Sequence, residues 1–188
     1  MAKRPLPRGA AAAAKKRLVA PTDVVVLEGV HMTKTLLLTS EDAWAAVLSQ
    51  NLAGGDATVV TLHTDSKPKG LPRKLHHAGA AFDDSQSFED SALAMHLDSM
   101  AERIEAARCS RVVFMCQAGV NRSTLALCYY CAKHGSCSWW RAKDALVYAK
   151  GAAAAGWPTL TNAAFESFLS RHFSARCFIA CARFDGAR

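Results

Sequence analysis

The sequence predicts one α/β domain whose central, mainly parallel sheet is flanked by helices. Apolar runs of strand length alternate along the chain with segments of helical periodicity. A length of 188 residues fits a single domain, and a hydrophobic share of 51% is sufficient for a buried core. No run of about 18 uninterrupted apolar residues occurs, so we expect no transmembrane helix.

The first half of the domain is predicted to contain three strands and one helix. The helix covers residues 41–52, where apolar side chains share one face and Ser40 suits the N-cap position. The third strand carries His76 and His77, which we interpret as structural. The predicted strands occupy residues 24–27, 58–62 and 75–81.

The second half is predicted to contain a buried strand, a buried helix and three amphipathic helices. The strand opens at Arg111, and the segment that follows Arg122 is apolar on almost all sides, as expected of a central helix. In the amphipathic helices, apolar residues recur at helical spacing. These three helices cover residues 88–108, 138–150 and 161–173.

The most informative segment joins the strand from Arg111 to the buried helix. Its apolar run ends at Cys116, and a loop of small residues leads to Arg122 and Ser123. The N-terminus of a helix attracts anions and favours the thiolate form of a cysteine, while Gly119 lets the loop turn tightly. Arg122 offers a planar fork for two phosphate oxygens. The pattern therefore predicts a thiolate that attacks phosphorus.

The same cysteine–arginine spacing recurs near the C-terminus, at Cys177 and Arg183. That copy has no glycine between its two ends and has bulky side chains where a phosphate would lie. We interpret it as coincidence. The alternative for the first copy is a buried structural cysteine in a strand-to-helix turn.

The eight residues from Cys116 to Ser123 (Cys-Gln-Ala-Gly-Val-Asn-Arg-Ser) resemble the signature loop of the cysteine-dependent dual-specificity protein phosphatases, in particular the small atypical type found in poxviruses. The resemblance extends over roughly residues 22–174 and implies a protein-tyrosine-phosphatase-like catalytic domain. It also implies hydrolysis of phosphotyrosine and phosphoserine or phosphothreonine in proteins through a cysteinyl-phosphate, without a metal or other cofactor.

The resemblance further implies a role for each residue of the loop. Cys116 would be the nucleophile, Arg122 would hold the phosphate, and Ser123 would stabilise the departing thiolate. The phosphate-binding loop would consist of Gln117, Ala118, Gly119, Val120, Asn121 and Arg122.

Family members carry an aspartate that acts as general acid on a loop upstream of the nucleophile, and Asp84 is the candidate here. It lies 32 residues before Cys116, between a predicted strand and a predicted helix. An aspartate can protonate the leaving oxygen and then accept a proton from water. Asp83 is a second candidate, and a turn or helix cap that includes Ser85 is the non-catalytic alternative.

One position departs from the family pattern. Family members usually have a histidine immediately before the nucleophile, and this chain has Met115 there. Methionine packs well but donates no useful hydrogen bond. We therefore expect an active enzyme with a weaker thiolate than a Met115→His variant, and a phosphate-binding pseudoenzyme is the alternative.

The net charge of +7 is concentrated in residues 1–21, which contain six basic residues and no acidic one. We interpret this stretch as a disordered tail, because it is rich in Ala and Pro without core-forming periodicity. Three roles of this tail stay open: a nuclear signal, a mitochondrial transit peptide, or a solvated segment without a targeting role. A basic loop over 67–74 either attracts phosphorylated substrates or is simply solvated, and residues 175–188 form a C-terminal extension.

Seven cysteines, one of them needed as a thiolate, favour a reducing, intracellular location in the cytoplasm or nucleus. The spacing of Cys128, Cys131, His134 and Cys137 suits zinc ligands, but the first two lie in the predicted buried helix, so we expect no metal. Cys109 and Cys128 are candidates for a thiol that resolves an oxidised nucleophile.

Two other functions remain open beside the protein phosphatase. An RNA 5′-triphosphatase or phosphatase would fit Asn121 next to Arg122 and the basic tail, and a phosphoprotein-binding module would fit Met115. The remainder of the chain has a charge of only +1, which argues against a groove for RNA, and the neutral Gln117 and Val120 argue against phosphoinositides. We expect phosphorylated proteins as partners and nucleic acid contacts only through the tail.

Overall fold

The computed structural model describes a five-stranded sheet and the helices that pack against it. The strands are β1 (Val24–Leu27), β2 (Val30–Lys34), β3 (Ala57–Thr61), β4 (His76–Gly79) and β5 (Arg111–Cys116). Within the described part of the chain the helices are α1 (Asp90–Ala107), α2 (Arg122–Lys133), α3 (Trp139–Ala153) and α4 (Ala163–Phe173). The described residues are 24–27, 30–34, 57–67, 75–109, 111–134, 137–153 and 158–174.

The sheet confirms the predicted α/β architecture. Its strand order is β1-β2-β5-β3-β4, so β5 is central, with β2 and β3 on either side. All neighbours are parallel except β1 and β2, which form an antiparallel pair. Strand β2 was not predicted, because its sequence Val-His-Met-Thr-Lys alternates apolar and polar residues too briefly to indicate a strand by itself.

Among the residues that the structure describes, the predicted elements agree with the structure apart from shifts at their ends. Strand β4 is shorter than the predicted 75–81, and α1 begins two residues later than predicted, after Glu89 at its N-cap position. Helix α4 begins at Ala163 instead of residue 161, because the side chain of Asn162 caps it by accepting hydrogen bonds from the first turn.

The core lies between the sheet and the central helix. Helix α2 packs against β5 and β2, and it also contacts α1, α3 and α4. Its residues from Ser123 to Tyr129 are all buried, as its apolar sequence predicts. The aromatic side chains of Phe165, Phe168 and Phe173 on α4 complete this core.

Several predictions concern residues outside the described part of the chain. These are the basic tail 1–21, the helix 41–52, the basic loop beyond Lys67, and the extension 175–188. Among the residues that are described, none of the helices combines the length and the apolar character that crossing a membrane requires.

Candidate active site

Three parallel strands end at the same edge of the sheet and bring the candidate residues together. Strands β3, β4 and β5 are parallel, so the segments that follow Thr61, Gly79 and Cys116 leave the sheet side by side. Two backbone bonds join them: Leu62 N–H donates to the Met115 carbonyl (2.8 Å) and Ala80 N–H to the Thr61 carbonyl (2.9 Å). The carboxyl edge of a parallel sheet is where such folds hold ligands.

Cys116, the last residue of β5, is 2% exposed, and its sulfur contacts two hydrogen-bonding groups. The Gly119 N–H donates to Sγ across 3.2 Å, and the Ser123 hydroxyl lies 3.2 Å from Sγ. Gly119 has a φ of 67°, a conformation that glycine adopts without strain, as its place in the sequence predicted. The N–H and the hydroxyl are both groups that can donate a hydrogen bond to the sulfur.

Arg122 is the first residue of α2, and its guanidinium is held by the backbone of two neighbouring loops. Nη1 donates to the carbonyls of Leu62 (3.3 Å) and Phe82 (3.2 Å). Its Nε is buried and has no hydrogen-bond partner among the described residues. A buried, unpaired donor is unfavourable unless a ligand accepts from it, and a phosphate oxygen would do so.

Asp84 lies at this site, on the exposed loop between β4 and α1. Its two carboxylate oxygens accept hydrogen bonds from two asparagine amides. Asn121 Nδ2 donates to Oδ2 (3.0 Å), and Asn162 Nδ2 donates to Oδ1 (2.9 Å). Asp83 is also exposed. Ser85 and Ser87 form hydrogen bonds with each other in a local turn. The turn that is the non-catalytic alternative for this segment is therefore present, and Asp84 contacts the phosphate-binding loop as well.

The remaining loop residues differ in exposure. Gln117 and Ala118 are exposed, whereas Val120 is half-buried and packs against the core. Met115, which precedes the nucleophile, is fully buried in β5. Its side chain therefore belongs to the core.

Sequence reasoning missed His63 and Asn162. His63 follows the end of β3, and its Nδ1 is buried without a partner among the described residues. Burial, and then the positive charge of Arg122, lower the pKa of His63, while a hydrogen bond with the Met115 backbone opposes this. His63 is consequently neutral at pH 7, and Arg122 supplies the positive charge. Only the topology, which places β3 beside β5, brings this histidine to the loop.

The cysteine and histidine pattern that suggested zinc does not form a metal site within the described residues. Cys128 and Cys131 are buried in α2, as predicted. A hydrogen bond between the thiols of Cys131 and Cys137 lowers the pKa of Cys137 to about 7 and raises that of Cys131. The proposed resolving roles of Cys109 and Cys128 stay predictions.

Solved structures with the same architecture identify the fold. Human dual-specificity phosphatase DUSP28 superimposes with a TM-score of 0.60 at 19% identity, covering 84% of this chain and 96% of that one. The chain has the fold of the dual-specificity phosphatases. No protein-family model and no curated protein matches the sequence.

Two further structures share the dual-specificity phosphatase fold with this chain. The PTP-2 phosphatase of Cydia pomonella has a TM-score of 0.58 at 19% identity, covering 80% of this chain and 89% of that one. OH1 of the Orf virus, a tyrosine phosphatase, has a TM-score of 0.51 at 21% identity, covering 84% and 90%. These likenesses confirm the predicted fold, and at this level of identity they show the fold alone.

Proposed function

We propose that residues 22–174 form a protein phosphatase that hydrolyses phosphotyrosine and phosphoserine or phosphothreonine through a cysteinyl-phosphate. The observation that carries this proposal is the environment of the Cys116 sulfur. One N–H and one hydroxyl contact it at 3.2 Å, at the end of the central strand of the dual-specificity phosphatase fold. The unpaired Nε of Arg122 adds a donor for the phosphate group.

In the first step, the thiolate of Cys116 attacks phosphorus and the bond from phosphorus to the ester oxygen breaks. Asp84, in its protonated form, gives its proton to the departing oxygen, so the dephosphorylated side chain leaves as a neutral hydroxyl. Arg122 and the loop amides hold the phosphate oxygens while the charge shifts between them. The product retained on the protein is a cysteinyl-phosphate.

In the second step, water attacks the cysteinyl-phosphate. Asp84, now a carboxylate, accepts a proton from that water, and the phosphorus–sulfur bond breaks. The hydroxyl of Ser123 donates a hydrogen bond to the departing thiolate. Inorganic phosphate leaves, and both Cys116 and Asp84 return to their starting forms.

Phosphorylated proteins are the substrate class that we propose. The tyrosine phosphatase activity named for OH1 supports it by analogy of fold. The near-neutral charge of the chain outside its tail also fits protein better than RNA. Cytoplasmic or nuclear residence belongs to the same proposal.

The direct test is phosphate release from a peptide phosphorylated on one threonine and one tyrosine. We expect the full chain to release phosphate from both residues, and Cys116→Ser to release none above background. The serine keeps the shape of the site but lacks a nucleophilic thiolate. The phosphate that remains on the peptide at partial conversion shows which residue is preferred.

Two other outcomes would contradict the proposal. Equal release by the full chain and Cys116→Ser would assign the activity to a contaminant or to another group. Peptide binding without release by either protein would indicate a phosphoprotein-binding module, and Met115 would then be the first residue to change.

A further inference from the structure

Two asparagines connect the loop of Asp84 to the phosphate-binding loop. Asn121 belongs to the phosphate-binding loop itself, and Asn162 lies at the N-terminus of α4. Each donates one amide hydrogen bond to a different oxygen of Asp84. The two bonds therefore fix the position of the carboxyl group and also the plane in which it lies.

The amide of Asn162 is oriented by four hydrogen bonds and is only 1% exposed. Its oxygen accepts from the backbone N–H groups of Ala164 (3.0 Å) and Phe165 (3.4 Å). Its nitrogen donates to Asp84 and to the carbonyl of Ser85 (2.8 Å). A flipped amide would point its oxygen at two acceptors and its nitrogen at two donors, so the network permits a single orientation.

The side chain of Asn121 is oriented from the other side. Its oxygen accepts from the Thr161 hydroxyl (3.1 Å) and from the N–H of Asn162 (3.0 Å). The neighbouring Val120 carbonyl accepts from the N–H of Leu160 (3.0 Å). Residues 160–162 therefore bind the phosphate-binding loop. Through the side chain of Asn162, the same segment also binds the loop of Asp84.

We propose that Asn162, acting with Asn121, is a positioning residue that holds the Asp84 carboxyl group ready for proton transfer at the phosphate-binding loop. This inference rests on the proposed function. A carboxylate oxygen can accept two hydrogen bonds, and the amides use one on each. The remaining lone pairs of the exposed Asp84 can carry the proton for the leaving oxygen and later accept one from water, while the amide contacts persist.

The test compares aryl phosphates with good and poor leaving groups. In Asn162→Ser the hydroxyl still caps α4, but the amide donor to Asp84 is lost. We expect kcat/KM, which reports only the steps up to formation of the cysteinyl-phosphate, to fall by about 10-fold or more for a poor leaving group, because that step depends on protonation of the departing oxygen. For a good leaving group, which departs without a proton, the loss should be less than about 3-fold. Equal losses on both substrates would overturn the inference and indicate a purely structural role.

An Asp84→Ala background provides the matched control. If Asn162 acts through Asp84, Asn162→Ser should cause no further loss on the poor leaving group once Asp84 is absent. A loss that multiplies with that of Asp84→Ala would show that Asn162 acts elsewhere. If the unmodified chain shows no turnover that depends on Cys116, the proposed function fails before this comparison is made, so the two failures are distinguishable.

A second variant keeps the inference testable if Asn162→Ser does not fold. Asn162→Asp retains a strong helix cap but places a carboxylate against Asp84 in place of the donor. We expect the same selective loss on the poor leaving group, because the amide donor that positions Asp84 is again absent. An unchanged ratio between the two substrates would contradict the positioning role.

Discussion

At the scale of single residues, the sequence predicts best what is local. Cys116, Gly119, Arg122 and Ser123 lie within eight consecutive residues, and the strand–loop–helix geometry alone brings Gly119 and Ser123 to the sulfur. Asn162 could not be predicted as part of the site. Its signal in the sequence is that of an ordinary N-cap, and its second contact depends on a residue 78 positions away.

His63 illustrates the same limit, and with His77 it makes stability depend on pH. Burial is the main cause that lowers the pKa of both histidines below the usual 6.5 in the folded chain. As the pH falls below about 6.5, the unfolded chain therefore takes up protons before the folded chain does. The folded state should lose stability in that range, whereas above it these two residues contribute no pH dependence.

Urea unfolding at a series of pH values between about 8 and 5 measures this effect. We expect the midpoint to fall less steeply with decreasing pH in His63→Gln and in His77→Gln than in the unmodified chain. The exposed His76 on the same strand provides a control for the substitution itself. If the urea midpoint of both variants changes with pH as steeply as that of the unmodified chain, neither histidine has a lowered pKa in the folded state.

At the scale of secondary-structure elements, the end of β4 packs closely against the segment after β3. Gly79, the last residue of β4, lies against the backbone of Asp65, and a larger residue would not fit there. A Cβ on Gly79 would lie 2.5 Å from the carbonyl oxygen of Asp65 and 2.6 Å from its Cα. Asp65 also accepts a hydrogen bond from the Ala81 N–H through its side chain (2.9 Å). These segments supply the carbonyls of Leu62 and Phe82 that hold Arg122, so their packing determines the geometry of the site.

We therefore expect Gly79→Ala to destabilise the fold by about 1–3 kcal/mol, the usual cost of an overpacked contact. Chemical denaturation measures the free energy of unfolding. Asp65→Ala should not rescue the variant, because the atoms in the way belong to the backbone. A neutral Gly79→Ala, or rescue by Asp65→Ala, would contradict the packing described for this contact.

At the scale of the whole molecule, alternation of strands and helices predicts the architecture, but the strand order is not encoded locally. The apolar character of β5 indicates a buried strand, and the structure places it at the centre. The neighbours of β5 decide which loops reach Cys116. Because β3 and β4 run parallel to β5, the loop of Asp84 reaches the phosphate-binding loop at Asn121, 37 positions further along the chain.

The central claim concerns the whole assembly: sulfur, arginine and carboxyl group together should form a covalent intermediate. Ser123→Ala removes the hydroxyl that lies 3.2 Å from the sulfur and should slow the second step. The intermediate should then accumulate. Its chemical signature is a phosphate that stays bound to Cys116 after the protein is denatured in acid.

The measurement that tests this most directly is mass spectrometry of the peptide containing Cys116 after rapid acid quench of a reaction with an aryl phosphate. We expect a phosphorylated peptide in the unmodified chain, more of it in Ser123→Ala, and none in Cys116→Ser. Phosphate release without a phosphorylated Cys116 in either of the first two proteins would contradict the account.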